Sequence, residues 1–124
     1  MQSCIKKFNQ QEEFYIDEGC YIAELSNSDD DPNLSIARAR VEPGVTTKLH
    51  QLFDTIERYI ILEGEGLVEL GGLTPQKVGP YDVVIIPAGC VQKITNTSSR
   101  DLIFFAICSP RFKQSNYLEV VTKS

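Results

Sequence analysis

Glycine and proline cut this chain into short apolar runs, and almost nothing in it repeats with helical period. Residues 20–25, 34–41, 83–86, 91–96 and 102–108 each have strand length, and turn formers such as Pro87-Ala88-Gly89 and Thr97-Ser98-Ser99 separate them. The run at 34–41 sets Ala37, Ala39 and Val41 on one face and Ile36, Arg38 and Arg40 on the other. Many short strands with sharp punctuation predict an all-β sandwich or barrel. Two segments are read differently. Residues 1–19 form an arm or an outer strand, and a short helix is expected over 117–121.

With 124 residues the chain can close one core without disulfides, so a single domain is expected over 1–124. The net charge of −5 argues against nucleic acid or an anionic membrane surface as a partner. Part of that acidity sits in Asp29-Asp30-Asp31, which reads as a solvated loop tip beside Asn27, Ser28, Pro32 and Asn33. Cys4, Cys20, Cys90 and Cys108 are far apart and make no CxxC pair, so four free thiols are expected. No apolar stretch follows Met1 and no run is long enough to span a bilayer, so a cytoplasmic location is the expectation.

The only histidine, His50, falls within residues 44–66, GVTTKLHQLFDTIERYIILEGEG, where a loop passes into a long apolar strand. Strand alternation from Glu57 places Glu57, Tyr59 and Ile61 on one side and Arg58, Ile60 and Leu62 on the other. A carboxylate among Ile56, Tyr59 and Ile61 needs a cation or a hydrogen-bond donor if it faces inward. Arg38 and Arg40 either solvate an outer face or point into a cavity and hold an anionic substrate. Cys90 shares strand parity with Gln92, so both face inward if that strand begins by residue 90.

The spacings resemble the two motifs of the cupin superfamily. The first, G-x5-H-x-H followed by E-x6-G, matches Gly44, His50, Leu52, Glu57 and Gly64, with leucine where the second histidine is usual. The second, ending P-x-G-x2-H-x3-N, matches Gly79, Pro87, Gly89, Gln92 and Asn96, with glutamine at the histidine position. Tyr81 stands where the family often has glycine, which implies a different turn there. Together the motifs span about residues 44–64 and 79–96, and the resemblance implies a double-stranded β-helix, or jelly roll.

Carried over position by position, the resemblance makes His50, Glu57 and Gln92 the metal set, with Zn, Fe, Mn or Ni as the ion. It implies a small enzyme of isomerase, cyclase or oxygenase type acting on a small oxygenated molecule, with Glu57 or Tyr59 moving a proton. The alternative is a metal-poor cupin that binds a small molecule without turnover. A homodimer is expected because Ile60 and Leu62 would face away from the cavity.

Overall fold

The computed structural model describes residues 1–121. Eleven strands follow in order: β1 (Phe14–Ile16), β2 (Cys20–Ser26), β3 (Ser35–Val41), β4 (His50–Leu52), β5 (Ile56–Glu63), β6 (Gly66–Leu70), β7 (Gln76–Val78), β8 (Val83–Ile86), β9 (Gln92–Asn96), β10 (Leu102–Ser109) and β11 (Tyr117–Glu119). They form two antiparallel sheets, one ordered β1-β2-β3-β10-β5-β8 and the other β11-β4-β9-β6-β7. The two sheets are the walls of the all-β barrel that the sequence predicts. Among the described residues no helix is long and apolar enough to cross a membrane.

One end of the barrel is filled. Ile61, Ile86, Ile94, Leu102 and Val41 are almost wholly removed from water, and they come from five different strands of the two sheets. A side chain of this size contributes about 1.5–3 kcal/mol when fully buried, so this plug closes the barrel and leaves the opposite end open. Alternation along β5 follows from it. Tyr59 and Ile61 point inward with Glu57, while Ile60 and Leu62 are half-buried on the outside.

The glycines and polar residues of the motif frame each have a mechanical task. Gly64, between β5 and β6, has φ +82, and a Cβ there would lie 2.8 Å from the Asp101 carbonyl oxygen, so a side chain cannot be accommodated. Asn96 is buried at the end of β9. Its Nδ2 donates to the carbonyls of Val41 and Arg100, each at 2.8 Å, and its Oδ1 accepts from the Ser98 amide at 2.8 Å. One side chain thereby ties three backbone segments together.

Asp82 closes the turn before β8 by accepting from the Gly79 amide at 2.8 Å. Tyr81 in that turn has φ 71, the left-handed conformation a glycine adopts freely. The expected departure is therefore one of residue type: tyrosine occupies a glycine-like backbone position, with its ring exposed.

Residues 117–121 are not helical. Tyr117–Glu119 is strand β11, pairing with β4 so that Tyr117 lies opposite Leu52 and Glu119 opposite His50. Five residues cannot offset the cost of helix nucleation, whereas the free edge of β4 supplies backbone partners at once. β7 was not evident either, because Gln76 and Lys77 are exposed and carry no apolar alternation.

On the outside, Phe14–Ile16 is an outer strand on β2, consistent with the outer-strand reading of residues 1–19. Glu13, just before it, meets both arginines of β3: Arg40 Nη2 at 2.6 Å and Arg38 Nη1 at 3.2 Å from its carboxylate oxygens. Arg40 also lies 4.1 Å from the centroid of the Tyr21 ring. Arg40, with help from Arg38, holds the Glu13 carboxyl below its ordinary range. The arginines therefore pin the N-terminal segment to the outer face, which decides between the two readings of this face in favour of the outer one.

Candidate functional site

The open end of the barrel holds a cavity of about 550 Å³, lined from the first sheet by β1, β2, β3, β5 and β10 and from the second by β4 and β11. His50, Leu52, Glu57 and Tyr59 all line it. Gln92 is buried directly behind, paired with His50 across β4 and β9. The residues selected by the motif frame thus do gather at one place.

Their hydrogen bonds form a chain. The Tyr59 hydroxyl donates to Gln92 Oε1 at 2.5 Å, and Gln92 Nε2 donates to Glu57 Oε1 at 2.9 Å. The second carboxylate oxygen of Glu57 accepts from Cys108 Sγ at 3.7 Å. Glu57 answers the problem of an inward carboxylate with neutral donors in place of a cation. Burial outweighs the Gln92 hydrogen bond and pushes its carboxyl up to about 7. The Tyr59 phenol is raised well above its ordinary value by burial and by Glu57.

His50 is fixed from its other side. Nδ1 lies 2.7 Å from the Lys48 carbonyl oxygen, and a carbonyl can only accept, so Nδ1 carries the proton. The ring stacks on Tyr117 with centroids 5.2 Å apart and planes 19° from parallel. Nε2, left with its lone pair, lies 3.4 Å from Glu18 Oε1. Burial lowers the pKa of His50 despite the Lys48 carbonyl, and burial raises Glu18 to about 7. Near neutrality His50 is therefore neutral and Glu18 is protonated in part.

Glu18 is the main residue that sequence reasoning missed. It lies in the turn between β1 and β2, well outside both motifs, and only Gly19, with φ +105, marks that turn. Cys20 Sγ donates to its Oε2 at 3.7 Å. Tyr117 was missed as part of the site because it was placed in a helix. Cys108 enters the site through Glu57, whereas Cys90 falls before β9 begins, with its Sγ directed to the Val91 carbonyl at 3.7 Å. Cys90 packs half-buried against the core and does not line the cavity. All four cysteines are unpaired.

The arrangement also bears on whether these residues suit a divalent ion. Gln92 has its oxygen engaged by Tyr59 and its nitrogen by Glu57, and both oxygens of Glu57 already accept hydrogen bonds. Among the described residues no three His, Cys, Asp or Glu side chains converge as a metal-ligand group. His50 Nε2 has the free lone pair a metal needs, but the donors around it do not fit a resident ion without rearrangement of the Gln92 network.

No protein-family model matches the sequence. No curated protein matches it either. Solved structures do. KdgF from Halomonas sp. is similar with a TM-score of 0.79 at 16% identity, over 92% of this chain and 99% of that one. Pac13, a nucleoside dehydratase, is similar with a TM-score of 0.76 at 17% identity, over 95% of this chain and 92% of that one; the Streptomyces protein has been solved with uridine. The cupin domain of Cnp3 from Schizosaccharomyces pombe gives a TM-score of 0.66 at 17% identity, over 78% of this chain and 69% of that one. At these identities the likeness is one of fold, and with the two-sheet topology it shows a double-stranded β-helix.

Proposed function

We propose that the protein is a small enzyme that moves protons on a small oxygenated molecule held in the barrel, as a lyase or isomerase. The observation that carries this reading is the His50–Glu18 pair, a neutral imidazole whose free Nε2 meets a buried carboxyl at 3.4 Å inside the cavity. Carboxyls pushed up to about 7 beside a neutral imidazole, gathered in a concave site, are what general acid–base chemistry requires.

In the elimination version, His50 Nε2 takes a proton from a carbon beside a carbonyl. The electron pair left behind becomes a carbon–carbon double bond as the neighbouring carbon–oxygen bond breaks. Glu57, protonated in part at neutral pH, gives its proton to the departing hydroxyl, which leaves as water. No oxidant or reductant is needed. In the isomerase version the same proton returns to an adjacent atom. Glu18 receives or returns the proton that His50 carries, and Tyr59 is a positioning residue, since its hydroxyl is engaged with Gln92 and orients Glu57 through it. Pac13, a dehydratase of the same fold, supports the elimination version by analogy.

The divalent ion expected on His50, Glu57 and Gln92 has no part in this mechanism, because the amide of Gln92 is held by its neighbours. The test is incubation in D2O with a panel of neutral sugars, amino sugars, nucleosides and their carbonyl forms, followed by NMR and mass spectrometry. Deuterium incorporation or loss of water should appear for at least one member and fall by about 10²–10⁴ in His50→Gln. Turnover indifferent to His50→Gln overturns the assignment. Binding without exchange anywhere in the panel favours the non-catalytic reading instead.

A further inference from the structure

We propose that the barrel cavity takes a cationic ligand, an amine or other organic cation with a flat apolar portion, and discriminates against phosphorylated and carboxylated molecules. The inference rests on the barrel being the ligand site, as above, and adds the chemical class of the ligand.

Charge is the first observation. Asp17, Glu18, Glu24, Glu57 and Glu119 line the cavity, and among the described residues no lysine or arginine does. The two arginines nearest in sequence pattern, Arg38 and Arg40, are spent on Glu13 outside the barrel. At the rim, Lys48 lies 3.9 Å from Glu119 and balances only that carboxylate. An anion entering here would meet carboxylates with no fixed cation to receive it, and a cation would meet exposed carboxylates at the rim and Glu18 and Glu57 at lower dielectric inside.

Aromatic surface is the second, independent observation. Phe14 stands largely exposed at the mouth, while Tyr117 and Phe112 line the wall. Aromatic faces beside carboxylates are the surroundings that attract organic cations, the rings through their quadrupole and the carboxylates through charge. The raised proton affinity of Glu18 and Glu57 has the same physical origin: buried carboxyls without a counter-cation.

The test uses three matched probes on the full chain: tyramine, tyrosol and 4-hydroxyphenylacetate, which share a phenol ring and differ in carrying an amine, an alcohol or a carboxylate. Affinities are measured by calorimetry and by NMR at pH 7.5. Tyramine should bind tightest, with tyrosol next, and at least about tenfold tighter than 4-hydroxyphenylacetate. Asp17→Asn with Glu24→Gln, two rim changes outside the proton-transfer pair, should narrow the preference for tyramine over tyrosol. An anion that binds as well as the amine, an amine no better than the alcohol, or no binding of tyramine at all would overturn the proposal. Binding needs no turnover, so failure of the charge order is read separately from failure of the exchange assay.

Discussion

His50 Nε2 lies 3.4 Å from Glu18 Oε1, and the two come from elements far apart in the chain: strand β4 and the turn between β1 and β2. The Lys48 carbonyl determines which nitrogen faces the carboxyl, and Tyr117 determines the plane of the ring. Burial then shifts both groups in the directions that leave a neutral base beside a carboxyl still able to hold a proton. Geometry and desolvation together support the proton-transfer site proposed above.

Stability should fall as the pH rises toward and through neutrality. Glu18 and Glu57 keep protons in the folded chain up to about 7, while unfolded glutamates lose theirs near about 4.3. Across that window the folded state binds more protons, so their contribution is full at low pH and is lost as pH rises through the folded pKa. His50 acts in the opposite sense below about 6.5, because only the unfolded ring is charged there. Between about pH 6.5 and 8 the carboxyls act alone. Thermal melts should show Tm dropping over this interval and a flatter profile in Glu18→Gln. A Tm that rises there would mean the carboxyls are not buried as described.

Leu52 and Gln92 should accept histidine as a metal-binding pair. His50 and Leu52 line the same cavity, and Gln92 lies opposite His50 across the strand pair. Leu52→His with Gln92→His releases the amide network and adds two imidazoles around Glu57. Affinity for Zn or Ni should rise at least about tenfold, roughly 1.4 kcal/mol. Calorimetry on a folded double variant that gains nothing would show that the three positions do not converge.

A homodimer is proposed through the outer face of the first sheet. Val83 and Ile85 are 57% and 62% exposed on β8, an edge strand, and Val83 pairs with the outward Ile60 of β5. An apolar row at an open edge invites pairing with a second copy about a two-fold axis. Light scattering at micromolar concentration should give twice the chain mass, and Val83→Lys with Ile85→Lys should halve it. A monomeric parent protein would refute this proposal.

The fold was legible in the sequence because its signals are local. Gly64, Asn96 and the Pro87-Ala88-Gly89 turn sit at fixed offsets along the chain, and alternation along β5 puts Glu57, Tyr59 and Ile61 on one face, the face the structure turns inward. Half of the site was legible for the same reason. Glu18 was not, since a carboxylate in a surface-type turn looks like any other until the barrel closes around it. The orientation of Arg38 and Arg40 depended on Glu13, a partner from another strand's flank that no spacing rule connects to them. Tyr117 joined the site only through strand pairing at the edge of β4, which a five-residue tail does not announce.

The most direct test uses the fact that His50 is the only histidine, so its ring can be followed by NMR without ambiguity. With 15N-labelled histidine, the ring should be neutral at pH 7.5 with the proton on Nδ1, and its titration midpoint should lie below about 6.5. A second inflection near about 7, reporting Glu18, should disappear in Glu18→Gln. A midpoint at or above the ordinary histidine value, averaged nitrogen shifts and a titration curve unchanged by Glu18→Gln would contradict the proton-transfer pair.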